Sequence, residues 1–531
     1  MENTEIQISE KQSVSHAAGT VGFFTFVSRV IGLARDIVIA RFFGAGMAAD
    51  AFFVAFRIPN LLRRLFAEGS LTIAFIPVFT EYLTQKSRHD AFELARAVLT
   101  LLSILLALVT VLGILLSPWI VRLQAFGFGG AGMKYDLTVL LTRITFPYIF
   151  FISLVAFFMG ILNSLRHFAA PAAAPIFLNV GIIGSAFLIS PHLSQPVVGI
   201  AIGVIIGGFM QLALQIPWAL KKGFSLVPIW YPSHPAIRRI GLLMLPAVFG
   251  SAIYQLNQFM GTLLASFLPE GSVSWLYYAD RLVQFPLGVF AIAISTAALP
   301  SLSKQAANKD LDDFKDTLGH SLRLVLFIAI PSTAGLVTLG KPIIQLFFQR
   351  GAFSAFSTTM TNIALVYYAL GLWAFSGIRV MVSAFYALQD TKTPVKVAAI
   401  TIVANLILSL ALMGPLKHGG LALALSAASS LQLFLLVWHL QRKLGNLSLG
   451  PVIETTLKSL LASIVMGAGI YILYLKWVAA SGPMTTLALM GRVCGLVLFG
   501  ALVYFALSAI MRCKELATVL DMYTPIVGKS K

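Results

Sequence analysis

Two long apolar stretches of this chain carry arginines at the depth where a bilayer tolerates them least. Residues 21–43 read VGFFTFVSRVIGLARDIVIARFF, and residues 51–79 read AFFVAFRIPNLLRRLFAEGSLTIAFIPVF. Each has the length and apolar content of a membrane-spanning helix. Yet together they hold Arg29, Arg35, Asp36, Arg57, Arg63, Arg64 and Glu68. An arginine at the centre of a span costs roughly 2.5–3.5 kcal/mol on insertion scales, and charges kept at that cost face a watery interior and bind something. The excess here is positive, so the expected ligand is an anion.

The rest of the chain supports a membrane setting. Of 531 residues, 58% are hydrophobic and only 11% are charged, against about 25% charged in a soluble protein. Apolar runs long enough to span recur about fourteen times, near 17–43, 48–82, 94–121, 137–163, 171–190, 196–220, 238–267, 273–302, 318–347, 359–388, 394–414, 419–441, 453–478 and 484–511. The fold class is therefore an all-α polytopic membrane protein. The polar start MENTEIQISEKQSVSHAA leads into the first span without a short apolar core and cleavage site, so no removable signal peptide is expected. A net charge of +18 would suggest nucleic acid in a soluble chain. No basic patch interleaved with aromatics stands on a soluble face, so no nucleic-acid partner is expected. Cys494 and Cys513 lie away from any histidine cluster and read as inert thiols, with no metal site.

The loops set orientation. With the N-terminus inside, the cytoplasmic segments beyond the N-terminal tail hold 18 Lys and Arg and the opposite loops 7. That asymmetry puts both termini in the cytoplasm. A shift of 223 residues reveals an internal repeat: Pro77 falls on Pro300, Pro171 on Pro394, and GIAIG at 199–203 on ALALS at 422–426. The same shift superposes six spans on six. An even number of spans per repeat implies two parallel halves related by an axis along the membrane normal, as in transporters with a site between the lobes. The expected parts are a tail at 1–16, a first lobe at 17–222, a second lobe at 236–443, two further helices at 451–511 and a tail at 512–531.

Helical phasing sorts the charges. Arg29 and Asp36 are seven apart and share a face, while Arg35 lies about 100° around from Asp36. The carboxylate can steady one arginine and leave others for a ligand; a purely structural ion pair between helices is the alternative. On the second span Asp50, Arg57 and Arg64 follow a seven-residue stripe, which Pro59 interrupts by freeing the carbonyl of Ala55. Gly69 and Pro77 weaken that helix further, and broken helices at membrane depth line cavities. Asn60 and Arg63 sit one turn apart just after the proline. Snorkelling along the stems is the alternative for Arg63 and Arg64, and for Arg57. The corresponding span of the second half carries Asp280 and Arg281, with Pro286 and Gly288 at an expected kink. Arg143 reads as an interface residue, and the role of the deep Arg379 is open. Several arginines with few carboxylates favour a phosphate or pyrophosphate, whose oxygens match the planar guanidinium fork.

The stretch SRVIGLARDIVIARFFGAGMAADAFFVAFRIPNLLRRLFAEGSLTIAFIPVFTEY at 28–82 resembles the lipid II flippase family (MurJ, also called MviN). YYADRL at 277–282 with LPSLSK at 299–304 resembles the family's eighth helix, and TRITFPYIF at 142–150 its fourth. The resemblance covers essentially the whole chain. It implies the multidrug/oligosaccharidyl-lipid/polysaccharide exporter fold: fourteen helices, two six-helix lobes around a cationic cavity, and two added helices that form a groove for a polyprenyl tail. It implies movement of lipid II, the undecaprenyl-pyrophosphate-linked muropeptide, from the cytoplasmic to the periplasmic leaflet of the inner membrane for peptidoglycan synthesis. By motif, the family's essential arginines fall on Arg29, Arg35, Arg63 and Arg281, and its acidic companions on Asp36, Asp50 and Asp280. Asn60 joins the substrate-binding set. Gln284 stands where some relatives carry an acidic residue. The seventh and eleventh spans offer Asn257 and Asn405 but no carboxylate, so no sodium site is expected.

The resulting expectation is a transporter, not an enzyme, working by alternating access as a functional monomer. No cofactor is expected; the membrane potential or a monovalent ion supplies coupling. Expected partners are lipid II, membrane lipids and the cell-wall synthesis or division machinery. The rivals are another polyprenyl-pyrophosphate oligosaccharide flippase or exporter of the superfamily and, from a different class, a membrane glycosyltransferase. The latter needs catalytic carboxylates on outer loops, for which Asp50, Asp136 and Glu270 are the candidates.

Overall fold

A computed structural model of the chain describes residues 2–63, 71–480, 482 and 484–523, with side chains for 19–61, 63, 74–244, 255–480, 482 and 484–520. Arg64, Glu68 and Gly69 lie outside the described residues. Every regular element among the described residues is helical. By contacts the chain divides into two compact units, Met1–Val273 and Ser274–Lys531.

The first unit contains α1 (Glu2–Phe43), α2 (Met47–Leu62), α3 (Leu71–Gln85), α4 (Arg88–Leu115), α5 (Ser117–Gln124), α6 (Met133–Thr145), α7 (Tyr148–Ser164), α8 (Ala169–Leu188), α9 (Val197–Lys221) and α10 (Pro235–Ser266). Their ends follow local chemistry. Ser87 and Asp90 form a reciprocal capping box at the start of α4, and Pro235 opens α10 at a position where its missing N–H is not needed. The second unit contains α11 (Ser272–Pro286), α12 (Ile292–Ala307), α13 (Leu311–Phe347), α14 (Ala355–Ala369), α15 (Leu372–Ala387), α16 (Lys392–Leu444), α17 (Gly450–Tyr474), α18 (Thr486–Ile510) and α19 (Lys514–Tyr523).

Among the described residues nine helices are long and apolar enough to cross a membrane, and the pair Ala355–Ala369 and Leu372–Ala387, bent by 43°, makes a tenth if counted as one span. The apolar runs at 394–414 and 419–441 lie in the single element α16, divided at Lys417, whose φ of 50° and ψ of −132° break the helix. The apolar run at 48–82 is divided between α2 and α3. The kink expected at Pro286 and Gly288 is a π-helical turn over Leu287–Ala291, joining α11 to α12. Such turns relax the backbone register where a proline removes a donor.

The 223-residue repeat is visible in backbone detail. Arg166 and Gln389, 223 apart, both adopt left-handed backbone at φ 57° and 56°. Each ends a helix the same way. His167 N donates to Leu162 O at 2.8 Å and Arg166 N to Asn163 O at 3.0 Å; Asp390 N donates to Phe385 O at 2.9 Å and Gln389 N to Tyr386 O at 2.9 Å. This is a Schellman-type stop, and Pro171 and Pro394 follow in the first turns of α8 and α16.

Glycine lets α8 and α9 touch backbone to backbone. A Cβ on Gly181 would lie 2.7 Å from Gly207 Cα, and one on Gly207 would lie 2.8 Å from Leu178 Cα. Small residues at such crossings supply dense packing where lipid gives no hydrophobic drive between helices. Between α15 and α16, Asp390 accepts from Thr393 N at 3.0 Å, Thr393 Oγ1 at 2.9 Å and Lys443 Nζ at 2.9 Å. Burial acts to raise its pKa, but the bonds from Lys443 and Thr393 outweigh it and pull the carboxyl down to about 2.

Two outcomes follow from this packing. Gly207→Leu drives a side chain into the α8 backbone and destabilises the protein by about 1–3 kcal/mol, read as a lower thermal midpoint in detergent. Because the Asp390 pKa is depressed on folding, its stabilisation is present above the ordinary 3.8 and is lost as pH falls through about 2. The stability gap between the native protein and Asp390→Asn therefore closes between pH 4 and 2 in an acid series of thermal scans.

Candidate functional site

The first arginine group is built where α1 meets α8. Arg35 is 7% exposed and Asp36 1%. Arg35 donates from Nε and Nη2 to Asp36 Oδ1 at 3.0 and 2.7 Å, and from Nη1 to Asn179 Oδ1 at 3.1 Å. Asn179 in turn donates to the Ser28 carbonyl at 3.3 Å. The carboxylate that helical phasing left free to hold either neighbour thus pairs with Arg35. Arg29, two turns earlier on α1, is exposed. One guanidinium is therefore fixed and charge-balanced, and the other is accessible. Asn179 was not singled out from sequence, although a lone amide in the apolar run FLNVGIIG is the kind of residue that glues helices in lipid.

The second group surrounds α2. Pro59 has no N–H to give Ala55, and the Ala55 carbonyl accepts instead from Thr145 Oγ1 on α6 at 3.4 Å. Just beyond the proline, Arg63 Nε donates to Asn60 Oδ1 at 3.0 Å, with both side chains half-buried. Arg57, read from sequence as able to snorkel, is half-buried and donates to the backbone and side-chain oxygens of Gln258 on α10 at 3.3 and 3.4 Å.

At the other end of α2, Asp50 is 1% exposed. It accepts from Lys134 Nζ on α6 at 2.8 Å and from Gly271 N at 2.8 Å. Lys134 also lies over the Phe128 ring, 4.1 Å from its centroid. Glu270 accepts from Met47 N at 2.7 Å, placing a carboxylate on the positive end of α2. Two of the three carboxylates weighed for a transferase are therefore engaged in holding helix ends.

In the second unit, Arg281 is exposed on α11. Its Nε and Nη2 donate to Tyr277 OH at 3.3 and 3.0 Å, and its guanidinium lies 5.2 Å from the Tyr277 ring centroid. The tyrosine, one turn earlier in the YYADRL motif, is a contact that sequence reasoning passed over; its i, i+4 spacing was the available signal. Asp280 is half-buried and accepts from Gln284 Nε2 at 3.3 Å. Arg143 and Arg379 are exposed. Among the described residues, His89, Asp90 and Glu93 are the one group of three able to gather on a metal; they sit at the start of α4, where Asp90 already serves the capping box.

The structure thus places the proposed site residues on α1, α2 and α11, and groups Arg35 with Asp36, Arg63 with Asn60, and Arg281 with Tyr277. Chemically these are planar cations held by hydrogen bonds, suited to bidentate recognition of phosphate oxygens.

Comparison with known proteins gives consistent matches. The model of the family described as "Lipid II flippase MurJ" matches residues 39–491. The "Probable lipid II flippase MurJ" of Vibrio cholerae is 42% identical over 438 residues, covering 80% of this chain and 83% of the relative. The "Lipid II flippase MurJ" of Burkholderia cenocepacia is 39% identical over 509 residues, covering 93% and 97%. A solved "Lipid II flippase MurJ, inward closed conformation" superposes with a TM-score of 0.78 at 28% identity, covering 92% of this chain and 98% of that one. An inward-facing multidrug transporter of the MATE family shares the fold alone, with a TM-score of 0.67 at 14% identity.

Removing the carboxylate of the buried pair leaves an uncompensated cation. Asp36→Asn is expected to destabilise by about 3–5 kcal/mol, and Asn179→Ala by about 1–3 kcal/mol. Thermal unfolding in detergent ranks the two.

Proposed function

The chain belongs to the lipid II flippase MurJ family, and from that premise we propose that it carries lipid II from the cytoplasmic to the periplasmic leaflet of the inner membrane for peptidoglycan synthesis. The observation that carries the reading is the family match over residues 39–491 together with arginines held ready on apolar helices. A protein built to bury Arg35 beside Asp36 and Asn179 accepts the cost of charge at membrane depth. A ligand bearing a pyrophosphate is the partner that such a site fits.

In this reading Arg29, Arg35, Arg63 and Arg281 bind the pyrophosphate and sugar head, with Asn60 orienting Arg63. The groups divide by the way they are held. Arg35 is balanced by a carboxylate, so it acts as a fixed positioning donor. Arg281 is exposed, with its guanidinium against the Tyr277 phenol, so a ligand can reach it. Asp36, Asp50 and Asp280 keep the cationic helices in register. The head crosses by alternating access while the tail stays in lipid, in a bundle of fourteen spans with both termini in the cytoplasm. The membrane potential helps reset the carrier, since one charge across 100 mV is worth about 2.3 kcal/mol. The reaction makes and breaks no covalent bond, so the protein works as a transporter. A transferase reading is disfavoured because Asp50 and Glu270 are engaged at helix ends.

The test is leaflet accessibility of lipid II in cells depleted of the native protein and supplied with variants at normal expression. Arg281→Ala is expected to lower lipid II exposure on the periplasmic face at least about tenfold, as loss of a charge-assisted contact worth about 1.5–3 kcal/mol requires. Tyr277→Phe keeps the ring under the guanidinium and loses the hydroxyl, so its effect is smaller, about threefold to tenfold. Full exposure of lipid II with Arg35→Ala or Arg281→Ala would remove the arginines from the substrate site.

A further inference from the structure

A cavity of about 350 Å³ opens in the second unit where α13 and α17 begin, lined by Lys315, Asp316, Gly319, His320 and Arg323 of α13 and by Leu447, Ser448, Pro451 and Val452. The flippase reading gives it no role. Its size falls in the ~300–1,000 Å³ range of small-ligand clefts. Arg323 of the lining is paired with a buried carboxylate. Glu515 of α19, 4% exposed, lies 3.1 Å from Arg323 Nε and accepts from Thr455 Oγ1 of α17 at 3.1 Å.

The lining carries both signs. Arg323 is balanced by Glu515, which leaves Lys315 and Asp316 as opposite charges at the opening, with the exposed His320 beside them. Asp312, 3.8 Å from Lys315, is almost wholly exposed and screened by water. A simple anion would meet Lys315 but face Asp316. A zwitterion with a phosphate and a primary ammonium satisfies both. Directly after Val452, α17 turns an apolar strip outward at Ile453, Leu457, Leu461 and Ile464, each more than half exposed. Both helices are apolar enough to span, and the cavity sits at their starting ends, where a span meets the headgroup layer.

We propose that this cavity binds the phosphoethanolamine headgroup of a membrane phospholipid, with the phosphate on Lys315 and His320, the ammonium on Asp316, and an acyl chain along the α17 strip. Gly319 supplies the room: a Cβ there meets nothing within 4 Å. A leucine at this position therefore starts in open space at the cavity wall.

The experiment is native mass spectrometry of the delipidated full chain, titrated separately with dioleoyl phosphatidylethanolamine, phosphatidylglycerol, phosphatidylcholine and soluble glycerophosphoethanolamine. Phosphatidylethanolamine is expected to bind at least about tenfold more tightly than the other three, the worth of one charged hydrogen bond. Gly319→Leu and Lys315→Gln each weaken it about tenfold. Asp316→Asn abolishes the preference for the ethanolamine over the choline lipid, because only the primary ammonium donates to the carboxylate. Thermal midpoints of the variants, expected to match the native protein, separate lost binding from lost folding. Equal or tighter binding of phosphatidylglycerol overturns the proposal, as does wild-type affinity in Gly319→Leu. Soluble glycerophosphoethanolamine binding as tightly as the lipid assigns the cavity to a soluble ester instead.

Discussion

A guanidinium in apolar surroundings must be held by something, and the way each arginine is held organises much of what surrounds it. Arg35 is fixed by its own chain neighbour, Asp36, and by an amide from another helix. The pair is internal to α1, so the helix carries its own counter-charge, and Asn179 ties that charge to α8 and to the Ser28 carbonyl. Arg281 is held by a phenol that offers a ring face and a hydroxyl but no charge. The first arrangement limits desolvation; the second leaves a guanidinium exposed on its helix. Two arginines alike in sequence are thus different instruments.

The same demand governs the backbone. Where helices break, the freed groups find partners. The carbonyl that Pro59 leaves open accepts from Thr145, and the proline at the end of α11 is absorbed by a π-helical turn. Asp50 and Glu270 take up N–H groups at Gly271 and Met47. Non-helical backbone is tolerated at membrane depth only on these terms.

Much of this was legible in the sequence. Apolar run length and low charge gave the all-helical membrane class, and the shift of 223 residues anticipated two helix stops that match bond for bond at Arg166 and Gln389. Pro59 announced an open carbonyl, though not its acceptor role toward Thr145. What sequence could not supply was partnership across helices. Asn179, Gln258 and Lys134 lie 144, 201 and 84 residues from the charged groups they meet. Periodicity ranks faces within one helix and says nothing about which other helix arrives there. Phasing put Asp36 on the face of Arg29, with Arg35 about 100° around, and it is the side-chain rotamers that bring Asp36 to Arg35.

The glycine contact between α8 and α9 has a dynamic consequence. Helices that meet through side chains can slide by exchanging rotamers; helices that meet through Gly181 and Gly207 cannot. A Cβ at either glycine would lie within 3 Å of the facing backbone, so the close approach depends on where these glycines stand. Shear at this crossing meets backbone sooner than at one lined by side chains. Joints where side chains or broken helices intervene are then the softer places in the first unit, and the α8–α9 crossing the stiffer one.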